Sequence, residues 1–195
     1  MGTKRMARHM GQLNGSSFRA RPDCKRPDLS PRSRFAASRY PSYQGMTEIL
    51  RTATLSDAEA VTALTRAAYA KWVPVIGREP LPMKADHAAA IRDHRVDLLF
   101  AGPDLAALIE TIRRDDDLLI ENVAVAPAFQ KRGYGRRLIG HAEHMAAQAR
   151  LAWVRLYTNS RFEENLRLYA SLGYAVEREE VLNGGTAIHM LKRIS

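Results

Sequence analysis

Two periodicities in the apolar positions divide the chain from residue 47 onward into strands and helices. Thr47 to Thr54 reads as a first strand, and Ser56-Asp57-Ala58-Glu59 forms an S-x-x-E capping box that opens a helix. In that helix Ala60, Val61, Leu64, Ala67 and Ala68 recur on one face, and the stripe ends near Lys71. Trp72 to Pro82 holds three prolines and a glycine and predicts a loop, after which Met83 to His94 predicts a second helix. Val96 to Ala101 and Asp104 to Ile112 flank Gly102-Pro103 and predict a hairpin, although the Ala and Leu content of Leu105 to Ile109 also suits a helix. Arg113 to Asp117 is a charged turn, and Leu118 to Ala126 is the clearest strand, stopped by Pro127. A glycine-containing turn leads to a helix from Arg136 to Arg150, with Leu138, Ile139, Ala142, Met145 and Ala149 facing inward. Ala152 to Thr158 predicts a strand, Glu164 to Leu172 a helix ended by Gly173, and Tyr174 to Val181 with Thr186 to Arg193 a closing hairpin around Asn183-Gly184-Gly185. The order predicts an α/β (α+β) fold, a mixed sheet with helices on both faces.

Residues 1–45 show neither period. They are rich in Ser, Pro and Gly and poor in large aliphatics, so they bury too little surface to offset ordering entropy and are expected to be a disordered basic extension. The 195-residue chain carries a formal +9, and this segment holds most of it: ten Lys/Arg against Asp23 and Asp28, or +8. Residues 46–195 hold 20 Lys/Arg and 19 Asp/Glu, or +1, which removes most of the case for a nucleic-acid partner of the folded domain. A basic tail for an acidic partner, a targeting peptide, and an upstream extension preceding a working start at Met46 stand as three origins; Met46 lies directly before the first strand and favours the third. No apolar run of about 18 residues suggests a membrane span, and a cytoplasmic protein is expected. The single cysteine, Cys24, lies in the extension, which excludes an intramolecular disulfide, a core cysteine nucleophile and a cysteine-based zinc site.

Gln130-Lys131-Arg132-Gly133-Tyr134-Gly135 joins a strand to a helix, and its glycines let several N–H groups converge beside the positive helix end, which suits a pyrophosphate. Alone, such a turn is more often a plain connection with no ligand. The preceding run Glu121-Asn122-Val123-Ala124-Val125-Ala126-Pro127 changes this: from Glu121 to Gly135 the chain resembles motif A of the GCN5-related N-acetyltransferases, the GNAT superfamily. Asn165-Leu166-Arg167-Leu168-Tyr169-Ala170-Ser171-Leu172-Gly173-Tyr174 is similar to that superfamily's motif B, and the resemblance covers residues 47–195. It implies one N-acetyltransferase domain over 46–195, with a mostly antiparallel sheet of six or seven strands and about four helices. It also implies acetyl-CoA as co-substrate. By position, the main chain of Val123 and Val125 would pair with the pantetheine arm, Gln130, Lys131, Arg132, Gly133, Tyr134, Gly135 and Arg136 would surround the pyrophosphate, and Asn159 and Asn165 would also touch the coenzyme. Asn165 reads equally as a residue satisfying backbone at a helix start.

Tyr169 lies four residues after Asn165, on the same helix face. It is either core packing or, as the resemblance implies, faces the coenzyme sulfur as general acid; protonating the departing thiolate needs a donor with a pKa above or near that of the thiol, and a phenol near 10 against about 8.5 qualifies. The acceptor amine must lose a proton. Strand alternation places Glu121 on the face of Val123 and Val125, where it is the candidate base, the other reading being a pair with a neighbouring Arg. The Val123 N–H is the candidate oxyanion donor, and direct transfer needs no covalent enzyme intermediate. His141 and His144 beside Glu143, and Asp115-Asp116-Asp117, are read as solvated surface, so no metal is expected. The resemblance implies that Trp72 and the loop after it border the acceptor site, where the aromatic either contacts substrate or, more commonly, anchors the loop on the core. The expected acceptor is an amine on a small molecule or a peptide, and the expected state a monomer or homodimer. A non-catalytic acyl-CoA-binding module, or acetylation of a ribosomal protein or aminoacyl-tRNA, stand as alternatives.

Overall fold

A computed structural model describes residues 47–182 and 185–194, so the expectations for residues 1–46 and for the Asn183-Gly184 part of the last turn lie outside the described residues. The elements run β1 (Glu48–Thr52), α1 (Ala58–Tyr69), α2 (Val73–Ile76), α3 (His87–Asp93), β2 (Arg95–Ala101), β3 (Asp104–Arg113), β4 (Asp117–Val125), α4 (Tyr134–Gln148), β5 (Trp153–Asn159), α5 (Glu163–Ser171), β6 (Ala175–Leu182) and β7 (Gly185–Arg193). The strands form one sheet in the order β1-β2-β3-β4-β5-β7-β6. All neighbours are antiparallel except β4 and β5. This is the expected α/β architecture.

Helices cover both faces. On one, α4 supplies Leu138, Ile139 and Ala142 to a core with Leu99, Ile109, Ile120, Val154 and Leu156; on the other, α1 supplies Val61 and Leu64 to a second with Val96, Leu98, Leu108 and Ala124. Each such aliphatic contributes about 1.5–3 kcal/mol by leaving water. Covered on both sides, β3 needs no alternation, and Ala106 to Ile109 are all fully buried. That explains why this run reads ambiguously between strand and helix.

Three local expectations shift. The capping box is formed by Thr54 and Asp57: the Asp57 carboxylate accepts from the Thr54 N–H at 2.8 Å and is clamped by Arg51 at 2.7 and 2.8 Å, so the helix opens through a 3-10 turn at Leu55–Asp57. The loop expected over 72–82 contains the one-turn α2, with Pro74 in its first turn and Gly77 in the left-handed conformation ending it. Leu81–Lys84 is a separate 3-10 turn, and α3 starts only after Asp86, whose carboxylate accepts from the Ala89 N–H at 3.0 Å.

Two irregularities in β4 shape the site. Its pairing with β5 runs only from Asp117–Trp153 to Ile120–Leu156, after which the strands part. On its other edge the register with β3 jumps, Glu110 opposing Asn122 and Thr111 opposing Ile120, so Glu121 is the unopposed residue of a bulge.

Candidate functional site

Ala126 donates its N–H to the Ala106 carbonyl at 2.9 Å, so strand alternation turns the main-chain groups of Val123 and Val125 away from β3 into the space left by β5. Beyond them a cleft of about 300 Å³ opens between β4, the start of α4 and α5. Lys131 at φ 61° and Gly133 at φ 88° bracket the turn at its floor, a backbone shape that gathers N–H groups at the N-terminus of the 15-residue α4. A Cβ on Gly133 would meet nothing within 4 Å, so its glycine answers to the dihedral. A Cβ on Gly135 would sit 3.8 Å from Leu168 and Val125, ordinary contact, so protein packing does not require glycine there.

The side chains of this turn are less uniform than their grouping around a pyrophosphate implies. Gln130 spends its amide on its own chain, donating to the Val125 carbonyl at 3.1 Å. Tyr134 is buried in the core, edge-on to Phe129 at 6.0 Å, leaving only its backbone for the cleft. Arg132 lies over the Phe129 ring and Arg136 reaches Ser171 at 3.1 Å. Trp72 stacks on Phe162 at 4.3 Å and borders the cleft, which is the anchoring role for that aromatic.

A second cavity, about 110 Å³, occupies the parting of β4 and β5. Glu121 and Tyr157 meet there, the phenol donating to the Glu121 carboxylate. The bulge breaks the alternation: Val123 and Val125 pack towards the same core as Ile120, while Glu121 turns to Tyr157 and the adjacent Asn122 accepts from the Tyr69 hydroxyl at 2.9 Å. Glu121 therefore does not share the face of Val123 and Val125. Nor is its partner an arginine. Asn159 lines this second cavity, its Oδ1 accepting from the Arg161 N–H at 2.9 Å. A Cβ on Gly185 would lie 2.9 Å from the end of this side chain, and the φ of 141° at Gly185 is what favours glycine there.

Tyr69, Val123, Asn165 and Tyr169 line both cavities. Tyr169 is 8% exposed, and burial pushes its phenol up to about 12; burial likewise raises Tyr69 and Tyr157, the latter further through its bond to Glu121. Three protonated phenols thus converge on one junction. Tyr69 and Tyr157 were not singled out in the sequence; Tyr69 follows buried Thr65 by one helical turn, and that spacing was the available signal.

The histidine and aspartate clusters are solvated only in part: His144, Asp115 and Asp116 are exposed, whereas His141 is half-buried at 3.1 Å from Asp97 and Asp117 is buried and ion-paired with Arg155 at 3.1 Å. Among the described residues no group of three or more His, Cys, Asp or Glu could hold a metal ion, and no helix is long and apolar enough to cross a membrane.

Residues 101–176 match the family model described as the acetyltransferase (GNAT) domain. Among curated proteins none matches the chain by sequence. Solved structures share the fold at low identity. The ribosomal-protein-S18-alanine N-acetyltransferase of Escherichia coli is similar at 21% identity and TM-score 0.60, covering 76% of this chain and 95% of its own. PaiA N-acetyltransferase from Thermoplasma acidophilum, solved with coenzyme A, gives 18% and 0.66 over 76% and 99%. A mutant of the spermidine N-acetyltransferase SpeG from Vibrio cholerae gives 18% and 0.56 over 75% and 93%.

Proposed function

We propose, from the premise that the chain belongs to the GNAT superfamily of acetyltransferases, that it transfers the acetyl group of acetyl-CoA directly to an amine. The observation that carries this reading is the junction: a cleft with free strand edge and helix N-terminus meets a carboxylate-bearing cavity at Val123 and Tyr169. The pantetheine arm pairs with the main chain of Val123 and Val125, with Gln130 already holding one Val125 acceptor site. The pyrophosphate takes the N–H groups from Lys131 to Arg136.

The amine enters from the second cavity, and an ammonium with a pKa around 10 must first be deprotonated. Glu121, held by Tyr157, accepts this proton directly or through one water. As the C–N bond forms, negative charge develops on the carbonyl oxygen and is met by the Val123 N–H. The C–S bond then breaks, the electron pair leaves on sulfur, and the second proton that the nitrogen loses as the amide forms passes to that thiolate to give coenzyme A. Complete proton transfer from a phenol at about 12 to a thiolate of pKa about 8.5 is uphill by roughly 5 kcal/mol, so Tyr169 acts by donating a hydrogen bond to the departing sulfur rather than by surrendering its proton outright. This refines the general-acid role.

Acetyl transfer over a panel of amines, read by mass spectrometry beside acetyl-CoA binding, tests the reading. Acetylated product that disappears in Tyr169→Phe with coenzyme affinity kept supports it. Tight coenzyme binding with no product across the panel would favour a non-catalytic acyl-CoA-binding module.

A further inference from the structure

Two phenols that line the cavity between β4 and β5 have already committed their protons. Tyr69, the last residue of α1, donates its hydroxyl proton to the Asn122 side-chain oxygen at 2.9 Å, and Tyr157 of β5 donates to the Glu121 carboxylate. Their two partners are consecutive in β4, with Cα atoms about 3.8 Å apart. All four residues line the same cavity of about 110 Å³. Burial, and then the proximity of Tyr169, Tyr157 and Glu121, keeps the Tyr69 phenol protonated; burial and the bond to Glu121 do the same for Tyr157. A phenol oxygen whose proton is spent still carries lone pairs, so beside the base both oxygens can only accept. The wall thus presents a carboxylate and two neutral oxygens, three acceptors for the three N–H bonds of a primary ammonium.

Among the described residues that line this cavity Glu121 is also the only carboxylate. A second positive charge on the acceptor would therefore meet no counter-ion in a space walled by Ile76, Pro82 and Phe162, and burying it unpaired is costly. The space is smaller than the ~150 Å³ engineered cavity that takes benzene, so a longer body must pass out of it. Its rim is apolar: Leu81 and Leu182 line it while 64% and 46% exposed.

We propose that the acceptor is a primary monoamine with an apolar body, its nitrogen held by Glu121 and by the phenol oxygens of Tyr69 and Tyr157, its carbon chain leaving over Leu81 and Leu182. This rests on the acetyltransferase reading above. One N–H proton passes to Glu121, and the two that remain are held on the phenol oxygens, which fixes the nitrogen for attack on the acetyl carbon. The C–S bond breaks, the second proton passes from nitrogen to the thiolate, and the products are the N-alkylacetamide and coenzyme A.

The test uses the full chain and acetyl-CoA with four amines of similar length. Pentylamine is compared with N-methylpentylamine, which gives up one N–H for a methyl, with 1,5-diaminopentane, which adds a second ammonium, and with leucinamide, which places an amide beside the amine. Pentylamine should exceed each of the other three in kcat/KM by at least tenfold. Tyr69→Phe keeps the ring and removes the accepting oxygen, so kcat/KM for pentylamine should fall about tenfold and its ratio to N-methylpentylamine should fall towards one, the methyl taking the space the oxygen leaves. A Tyr69 of purely structural role would lower both amines alike, and an unchanged ratio would overturn the proposal. N-methylpentylamine or 1,5-diaminopentane matching pentylamine in the unmodified protein would overturn it whatever the variant does, and so would preference for leucinamide, which would make the acceptor a peptide N-terminus. Acetyl-CoA binding is measured separately by calorimetry: absence of binding sinks the acetyltransferase reading itself, whereas binding with transfer to another amine sinks only the choice of acceptor.

Discussion

Burial fixes the protonation state of Tyr169, and two measurable consequences follow. With its phenol at about 12 when folded and near 10 when unfolded, the residue stabilises the protein fully below pH 10, and that contribution is lost as pH rises towards 12. About 2–3 kcal/mol is involved, so thermal melts should fall steeply across this window and Tyr169→Phe should flatten the fall. The same variant should lower kcat by roughly 10–100-fold with the KM for acetyl-CoA kept within about twofold, because only the bond to the departing sulfur is lost. Glu121 and Tyr157 can be separated in the same assay. Glu121→Gln removes the proton acceptor and should reduce kcat/KM by at least about a hundredfold, whereas Tyr157→Phe keeps that acceptor, losing the bond that orients it, and should cost about tenfold. A Glu121→Gln protein of unimpaired rate would leave this carboxylate as a structural partner of Tyr157 and nothing more.

The turn before α4 offers a contrast between two glycines. Gly133→Ala forces a side chain to φ 88° and should destabilise the fold by about 1–2 kcal/mol, whereas Gly135→Ala meets only ordinary contacts and should fold normally. Gly135→Ala should nonetheless weaken acetyl-CoA binding about tenfold by calorimetry, because the space its methyl enters is the space the pyrophosphate requires; unchanged affinity would place the coenzyme elsewhere. At the other end of the sheet, Asp57→Ala should lower stability by about 1 kcal/mol in denaturant titration, while Glu59→Ala should have little effect, since the box is Thr54 with Asp57. These elements show what local sequence encodes. The glycine turn, the Tyr169 helix and the strands are written in short-range patterns and were legible, with β3 reading as helix nearly as well. The choice between two overlapping capping boxes was not, because Arg51 decides it from the preceding strand. The bulge at Glu121 and the parting of β4 from β5 were equally hidden: Leu118 to Val123 reads as one unbroken strand, and the interruptions come from pairing with β3 and β5. Tyr157 became part of the site only through that pairing, which no spacing in the chain announces.

Charge is distributed over the molecule so that the region containing both cavities is nearly neutral, +1 over residues 46–195 against +8 over 1–45. Retention on heparin should therefore fall with salt and be lost in a chain beginning at Met46, with coenzyme binding unaffected. Within the folded region, the divergence of β4 and β5 has a kinetic meaning. On the proposed placement the coenzyme and the amine take different cavities that meet at Tyr69, Val123, Asn165 and Tyr169, so neither reactant must vacate its place before the other arrives. Initial-rate plots at varied concentrations of both should intersect rather than run parallel. A single molecule joining coenzyme A through its sulfur to an amine would occupy both passages together, and its second half would bind at the effective concentration set by the first, so it should inhibit far more tightly than either half alone. The length of the shortest linker that retains this gain would measure, in solution, the width of the opening that the two strands leave between them.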